Sequence, residues 1–262
     1  MVHQLVIVGG GNMGAALVQG LLRAGTLEPS DLAVTETLEG RRAELETMFP
    51  GVTIGAEIPD ATGAVVAVKP GDVTQAVTAT TQAGARRILS IAAGVTIRRL
   101  EEAAGADVAI VRAMPNTPAL IGQGASAIAG GQRATEDDLV WAEGILGAVG
   151  TVERVGEAQL DAVTALSGSG PAYVFLVAEA LIDAAVAAGL ARPVATRLTT
   201  QLLVGSSALL AERGDPATLR GMVTSPGGTT AAGLAALEAH AVRAAFMEAI
   251  RAATARSIEL GA

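Results

Sequence analysis

The sequence predicts an α/β fold: a doubly wound parallel sheet in the N-terminal part, followed by a domain made only of helices. Three observations carry this. Short apolar runs rich in Val and Ile alternate with helix-patterned segments over roughly the first 155 residues, as in a sheet built from β-α-β units. A glycine cluster sits directly between the first such run and the first helix. Beyond Gln159 strand patterns vanish and helical periodicity takes over.

Taken in order, "LVIVG" (5–9) is a short apolar strand ending in glycine, and "GGGNMGAALVQGLLRAG" follows with Ala15, Leu17, Val18, Leu21 and Leu22 at helical spacing. Gly25 closes that helix. "DLAVTE" (31–36) is a second strand and "LEGRRAELETMF" a second helix. "GAVVAVKP" (63–70) is a buried strand stopped by Pro70; "ARRILSIAAG" (85–94) and "ADVAIVRAMPNTP" (106–118) are two more. The uncharged interval between Arg112 and Arg133 contains prolines and glycines, which makes it a loop and strand region rather than a membrane span. After it come three helical runs, 172–190, 194–212 and 240–260. In the last, Val242, Phe246, Ala249, Ile250 and Ala253 share one face. The expected division is 1–155 and 156–262.

Composition excludes several function classes. A net charge of −8 over 262 residues argues against nucleic acid or an anionic membrane surface as partner. The chain has no cysteine, so no disulfide and no thiolate chemistry. Its two histidines, His3 and His240, lie far apart, which makes a His/Cys metal site or Ser-His-Asp catalysis improbable and leaves no metal expected. The N-terminus has no basic region or cleavage-like site, so no signal peptide is expected and the default location is cytoplasmic. Aromatics make up only 2% of the residues, so cores must be built from Ala, Val, Leu and Ile.

The motifs fall at strand ends and helix starts. Gly9-Gly10-Gly11-Asn12-Met13-Gly14 fits G-x-G-x-x-G, placed after a strand and opening a helix. There Gly9 permits the turn, Gly11 the approach of a pyrophosphate and Gly14 close helix–strand packing. Glu36 ends the second strand, where an acid binds adenine-ribose hydroxyls and favours NAD. Arg41 and Arg42 follow and either hold a 2′-phosphate, favouring NADP, or form a solvated helix face. Val68, Lys69 and Pro70 end the strand after that, at the ligand edge of a parallel sheet. "SIAAG" (90–94) leaves room for a flat nicotinamide, and "MPNTP" (114–118) sets Asn116 in a rigid turn at the same edge, where its amide is a cofactor-binding candidate. In the helical part, "SGSGPA" (167–172) opens a long helix. "TSPGGTTAAGL" (224–234) puts hydroxyls and two glycines before another. That second loop reads two ways: a helix start with Thr229 or Thr230 as N-cap, or backbone N–H groups presented to an anion such as a carboxylate.

Together "VTALSGSGPAYVF", "VTSPGGTT", "AVKP", "SIAAG" and "MPNTPA", in this order after the glycine cluster, resemble the pyrroline-5-carboxylate reductase family over essentially the whole chain. The resemblance implies a Rossmann-like domain followed by an all-α dimerisation domain, with substrate held where two helical domains meet. It implies reduction of the C=N of 1-pyrroline-5-carboxylate to L-proline by NADPH or NADH, the last step of proline biosynthesis. By matching position it assigns Gly10, Asn12, Met13, Val68, Lys69 and Ala93 to the cofactor and Glu157, Ser225, Gly228, Thr229 and Thr230 to the substrate. Gly227 joins the latter as a backbone donor. Thr230 is expected to donate a hydrogen bond to the imine nitrogen, with Lys69 as a second catalytic candidate. Glu36 departs from the family, where many members have a small polar residue. So do Ala56 and Glu57, near an asparagine that many members have by the adenosine. A hydroxyacid dehydrogenase of the same fold would want a lysine or histidine base in the helical part, yet 159–262 holds no lysine. Surplus apolar positions on the helices predict a homodimer, extendable to a ring of dimers.

Overall fold

The computed structural model describes residues 2–261. Contacts divide the chain into two units. The first runs through Ser169 and takes back the chain from Ala252; the second is Gly170–Arg251.

The first unit is an eight-stranded sheet of β1 (His3–Val8), β2 (Leu32–Thr35), β3 (Thr53–Gly55), β4 (Ala61–Val66), β5 (Arg87–Ser90), β6 (Ala109–Met114), β7 (Gly124–Gly130) and β8 (Gly150–Arg154). The order across the sheet is β3-β2-β1-β4-β5-β6-β7-β8. The chain moves outward from β1 to β3, then crosses back to β4 on the other side of β1, so the winding reverses between β1 and β4. Carboxyl ends of strands at such a reversal frame the ligand crevice of doubly wound sheets. All neighbours are parallel except β6 and β7, which are antiparallel. The expectation of a parallel sheet therefore needs one correction. The connection 115–123 is too short for the crossover that a parallel neighbour requires, so the chain turns back on itself. The longer return through α5 (Glu136–Gly147) then makes β7 and β8 parallel.

Successive strand residues serve opposite faces. Leu5 and Ile7 of β1 pack with Val34, Val65, Leu89, Val111 and Ile128 in one core, filled from outside by α1 (Asn12–Arg23), α2 (Glu39–Met48) and α5 through Leu17, Val18, Leu21, Leu45 and Leu146. Val6 and Val8 pack with Ala64, Val66, Ile88 and Ile110 in the other. That core is covered by Val73 and Val77 of α3 (Val73–Gln82) and Leu100 of α4 (Ile97–Ala104). Gly25 closes α1 as expected: it has φ +64° and donates to Leu22 O, while Thr26 donates to Leu21 O.

The composition shift near residue 155 and the contact division after Ser169 do not coincide. Leu160 of α6 (Leu160–Val163) is fully buried in the second of these cores, and the Ser257 hydroxyl near the chain's end donates to Asp161 at 2.6 Å. Helical sequence thus begins while the chain still covers the sheet. A π-helical turn, Thr164–Gly168, separates α6 from the second unit.

The second unit is built from α7 (Gly170–Ala187), α8 (Arg192–Arg213), α9 (Pro216–Met222), α10 (Thr229–Ala239) and the first part of α11 (Val242–Gly261). Among its described residues only Ala195 and Thr199 are buried, whereas Phe175, Leu176, Leu198, Leu202 and Met247 are more than 40% exposed. A single copy of this unit has almost no core of its own. By length and composition the helical stretch Glu157–Ala187 could cross a membrane; its apolar 18-residue window contains no buried residue, whereas Leu160 and Ala165 near its start are buried.

Candidate active site

The glycine cluster lies after β1 at the winding reversal. Gly9 has φ +111°, and a Cβ there would lie 2.6 Å from Ala67 O at the end of β4. A Cβ on Gly14 would run into Gly9 O, and one on Gly10 into Leu45 Cδ1. Gly11 is different: it is exposed, extended, and has open space where a Cβ would be. It is the N-cap of α1 and makes no side-chain cap, so the amides of Asn12, Met13 and Gly14 have no intrahelical acceptor. Gly9 and Gly14 are thus required by contacts with backbone, and Gly10 packs against the Leu45 side chain, while Gly11 and the helix start form an open, donor-lined cradle at the positive end of a helix dipole. That cradle fits a dinucleotide pyrophosphate.

Glu36 follows β2 and is held against the cradle. Its Oε2 accepts from Gly10 N at 3.1 Å and its Oε1 from Leu38 N at 2.9 Å. Arg41 donates from Nε to Gly10 O at 2.8 Å and from Nη1 to Glu44 at 2.6 Å. Arg42 donates to the carbonyls of Glu36 at 2.9 Å and Thr37 at 2.7 Å.

Val68, Lys69 and Pro70 emerge from β4 beside the cradle, with Lys69 and Pro70 exposed; Lys69 is the chain's only lysine. Ala93 is exposed in the loop after β5. Asn116 was expected to offer its amide to the cofactor, but it is buried and works inward. Its Nδ2 donates to Ser167 O at 3.0 Å and its Oδ1 accepts from Ala125 N at 2.9 Å, tying the turn after β6 to β7 and to the π-helical turn. Glu157 is likewise engaged within the first unit: Oε1 accepts from Ile97 N at 2.6 Å and from Arg112 Nη1 at 3.0 Å. Arg112 is buried in β6 and sequence reasoning passed over it, although a lone charge inside the apolar run "AIVRAM" was a signal that it needs a partner.

In the second unit the loop from Ser225 leads into α10. The structure corrects the reading of its threonines as N-caps: Gly228 is the N-cap, and Thr229 and Thr230 are the first two helical residues, making no side-chain cap. Gly227 has φ +69°, a conformation that suits glycine. The first intrahelical bond is Ala232 N to Gly228 O. The amides of Thr229, Thr230 and Ala231 therefore have no partner among the described residues, nor do the hydroxyls of Ser225, Thr229 and Thr230. No three His, Cys, Asp or Glu side chains converge on a metal position among the described residues.

Known proteins resemble this chain over its whole length. Residues 157–260 match a family model described as pyrroline-5-carboxylate reductase dimerisation, and residues 4–94 match one for NADP oxidoreductases, coenzyme F420-dependent. The chain is 43% identical to a pyrroline-5-carboxylate reductase of Synechocystis sp. over 265 residues, covering 98% of each. It belongs to the pyrroline-5-carboxylate reductase family. Among solved structures, the pyrroline-5-carboxylate reductase of Coxiella burnetii is 34% identical with a TM-score of 0.93, each chain covered completely. The Plasmodium falciparum pyrroline carboxylate reductase with NADP bound is 29% identical with a TM-score of 0.84, covering 99% of this chain and 98% of its own. The family match also gives the bare helices of the second unit a use. In a pyrroline-5-carboxylate reductase this region is the dimerisation part, and homo-oligomerisation covers apolar faces that a single chain leaves open.

Proposed function

We propose that this chain is an NAD(P)H-dependent pyrroline-5-carboxylate reductase that converts the C=N of 1-pyrroline-5-carboxylate to the C–N of L-proline. The observation that carries the proposal is the Ser225–Thr230 loop. It combines free amides at a helix start with three unpartnered hydroxyls, in a chain related to these reductases from end to end.

The Gly9–Gly14 cradle binds the pyrophosphate through the α1 amides, and Val68, Lys69, Pro70 and Ala93 line the cofactor along the carboxyl edge of the sheet. Asn116 supports that edge from behind. The reduced nicotinamide supplies a hydride. The amides of Thr229, Thr230 and Ala231, with Gly227 and Gly228 shaping the turn, bind the substrate carboxylate. Ser225 and Thr229 add hydroxyl donors. Thr230 would donate a hydrogen bond to the ring nitrogen, which would gain a proton from solvent to balance the hydride that a bound NAD(P)H would supply to the adjacent carbon. Lys69 adds a positive charge near the reacting groups. Glu157, a substrate candidate by position in the family, has one oxygen committed to Arg112 and Ile97, which leaves its other oxygen uncommitted.

As a pyrroline-5-carboxylate reductase the chain performs the last step of proline biosynthesis in the cytoplasm. It acts as a homodimer with substrate held between helical domains, and the dimers can associate further into a ring. The test is oxidation of NADH and NADPH, followed at 340 nm, with 1-pyrroline-5-carboxylate against a panel of oxo-acids. Turnover with the imine alone is expected; turnover with an oxo-acid alone would replace the proposal by a hydroxyacid dehydrogenase.

A further inference from the structure

The ribose end of the cradle carries more information than the general NAD(P)H assignment. A carboxylate there repels a 2′-phosphate unless nearby cations neutralise it, and the sequence offers both: Glu36, and the pair Arg41 and Arg42. The structure shows how each is used. The Glu36 carboxylate is fixed by two backbone amides, Gly10 N at 3.1 Å and Leu38 N at 2.9 Å, and by the Thr37 hydroxyl at 3.4 Å. Its own backbone amide is bonded to Gly55 O at 2.9 Å. The side chain is therefore pinned beside Gly10, and it keeps acceptor capacity, since a carboxylate offers about four lone-pair directions and three are taken.

Both arginines are anchored to the protein itself, and only Arg41 is paired with an acid, Glu44. Arg42 bonds the carbonyls of Glu36 and Thr37 with one nitrogen, which stitches the turn between β2 and α2. Arg41 spans Gly10 O and the Glu44 carboxylate. Arg42 makes these bonds through Nη1 alone and Arg41 through Nε and Nη1, so each could meet a phosphate only with its remaining N–H groups while the side chain stays anchored to the backbone. Around them stand two further acids, Glu39 in the first turn of α2 and exposed Glu57 after β3. An N-terminal helix turn that would otherwise welcome a phosphate thus carries acid, and its Leu38 amide is already bonded to Glu36.

We propose that Glu36 makes this enzyme selective for NADH over NADPH: its carboxylate accepts from the adenine-ribose hydroxyls and excludes the 2′-phosphate, while Arg41 and Arg42 act as backbone staples and not as phosphate ligands. The inference rests on the dinucleotide reading of the cradle and is independent of the imine substrate. It separates this chain from its Plasmodium falciparum relative, whose solved structure holds NADP.

Binding tests it without turnover. Titration calorimetry of the purified protein with NAD+ and with NADP+ should give a tighter Kd for NAD+ by roughly 10- to 100-fold, the scale of an unscreened like-charge contact at short range. Glu36→Ser should narrow or reverse the ratio. Glu36→Gln, which keeps the shape and removes only the charge, should move it the same way. Arg42→Ala should leave the ratio where it was, because that side chain serves carbonyls. Equal or tighter binding of NADP+ by the wild type, or a ratio shifted toward NAD+ by Arg42→Ala, would overturn the selectivity while leaving the cofactor site intact. Binding of neither nucleotide would overturn the site and the selectivity together.

Discussion

Thr230 stands in the first turn of α10 with its hydroxyl unpartnered, and that is the clearest single-residue signature of chemistry in the helical unit. Gly228 is the N-cap of this helix, so the Thr230 hydroxyl is not used as a cap. Thr230→Val keeps the shape and removes the hydroxyl. If it donates to the imine nitrogen, kcat should fall by roughly 10- to 1000-fold, the scale of losing one transition-state donor, with an unchanged far-UV spectrum. Steady-state kinetics on the folded variant check this, and an unaltered kcat would remove Thr230 from the mechanism. A Cβ on the neighbouring Gly228 would lie 2.8 Å from Ser225 Oγ, so a side chain there would displace the Ser225 hydroxyl from its present position.

Between elements, one carboxylate joins three segments. Glu157 bonds the first amide of α4 and the guanidinium of Arg112 in β6, from a turn that leads into α6. Removing it leaves Arg112 buried without its counterion. Glu157→Ala should destabilise the first unit by about 2–3 kcal/mol, below the roughly 3–5 of a wholly buried pair because the Glu157 side chain is partly exposed. Thermal melts should show this, with Glu157→Gln losing less because it keeps the acceptor. This contact also marks the limit of what the sequence discloses. The strands buried on both faces, β1, β2, β4, β5 and β6, stand out as apolar runs, and the glycine cluster identifies its own site. β7 is "GASAIAG", whose small residues resemble a loop, and β3 is only three residues long. The Arg112–Glu157 pair and the Ser257–Asp161 bond join positions far apart in the chain, and no local pattern announces such pairs. The commitment of both arginines after β2 was equally hidden, because it depends on where backbone carbonyls point.

For the whole molecule, the decisive fact is the unequal distribution of interior. The sheet unit buries two cores, whereas the helical unit buries two side chains and leaves Leu198, Leu202 and Val204 of α8 more than half exposed. The match to a dimerisation family over 157–260 points to association as the cover for these faces. Leu202→Arg should dissociate the oligomer or unfold its helices and abolish activity, although Leu202 has no part in catalysis. Sedimentation at assay concentration tests it: the wild type should sediment as a dimer or larger, and a fully active wild-type monomer would refute a site shared between copies.

Trp141, the chain's one tryptophan, lies on α5 with its ring against Gly63 and the Arg87 guanidinium 4.6 Å from its centroid. Its emission is therefore a private reporter of the sheet unit and is nearly silent about the helices. The circular dichroism signal at 222 nm is weighted toward the helices. In a denaturant titration the dichroic midpoint should rise with protein concentration, because mass action links helical order to association. The tryptophan midpoint should stay nearly fixed. Coincident, concentration-dependent curves would instead mean that the sheet cannot hold together once its helical partner has lost its twin.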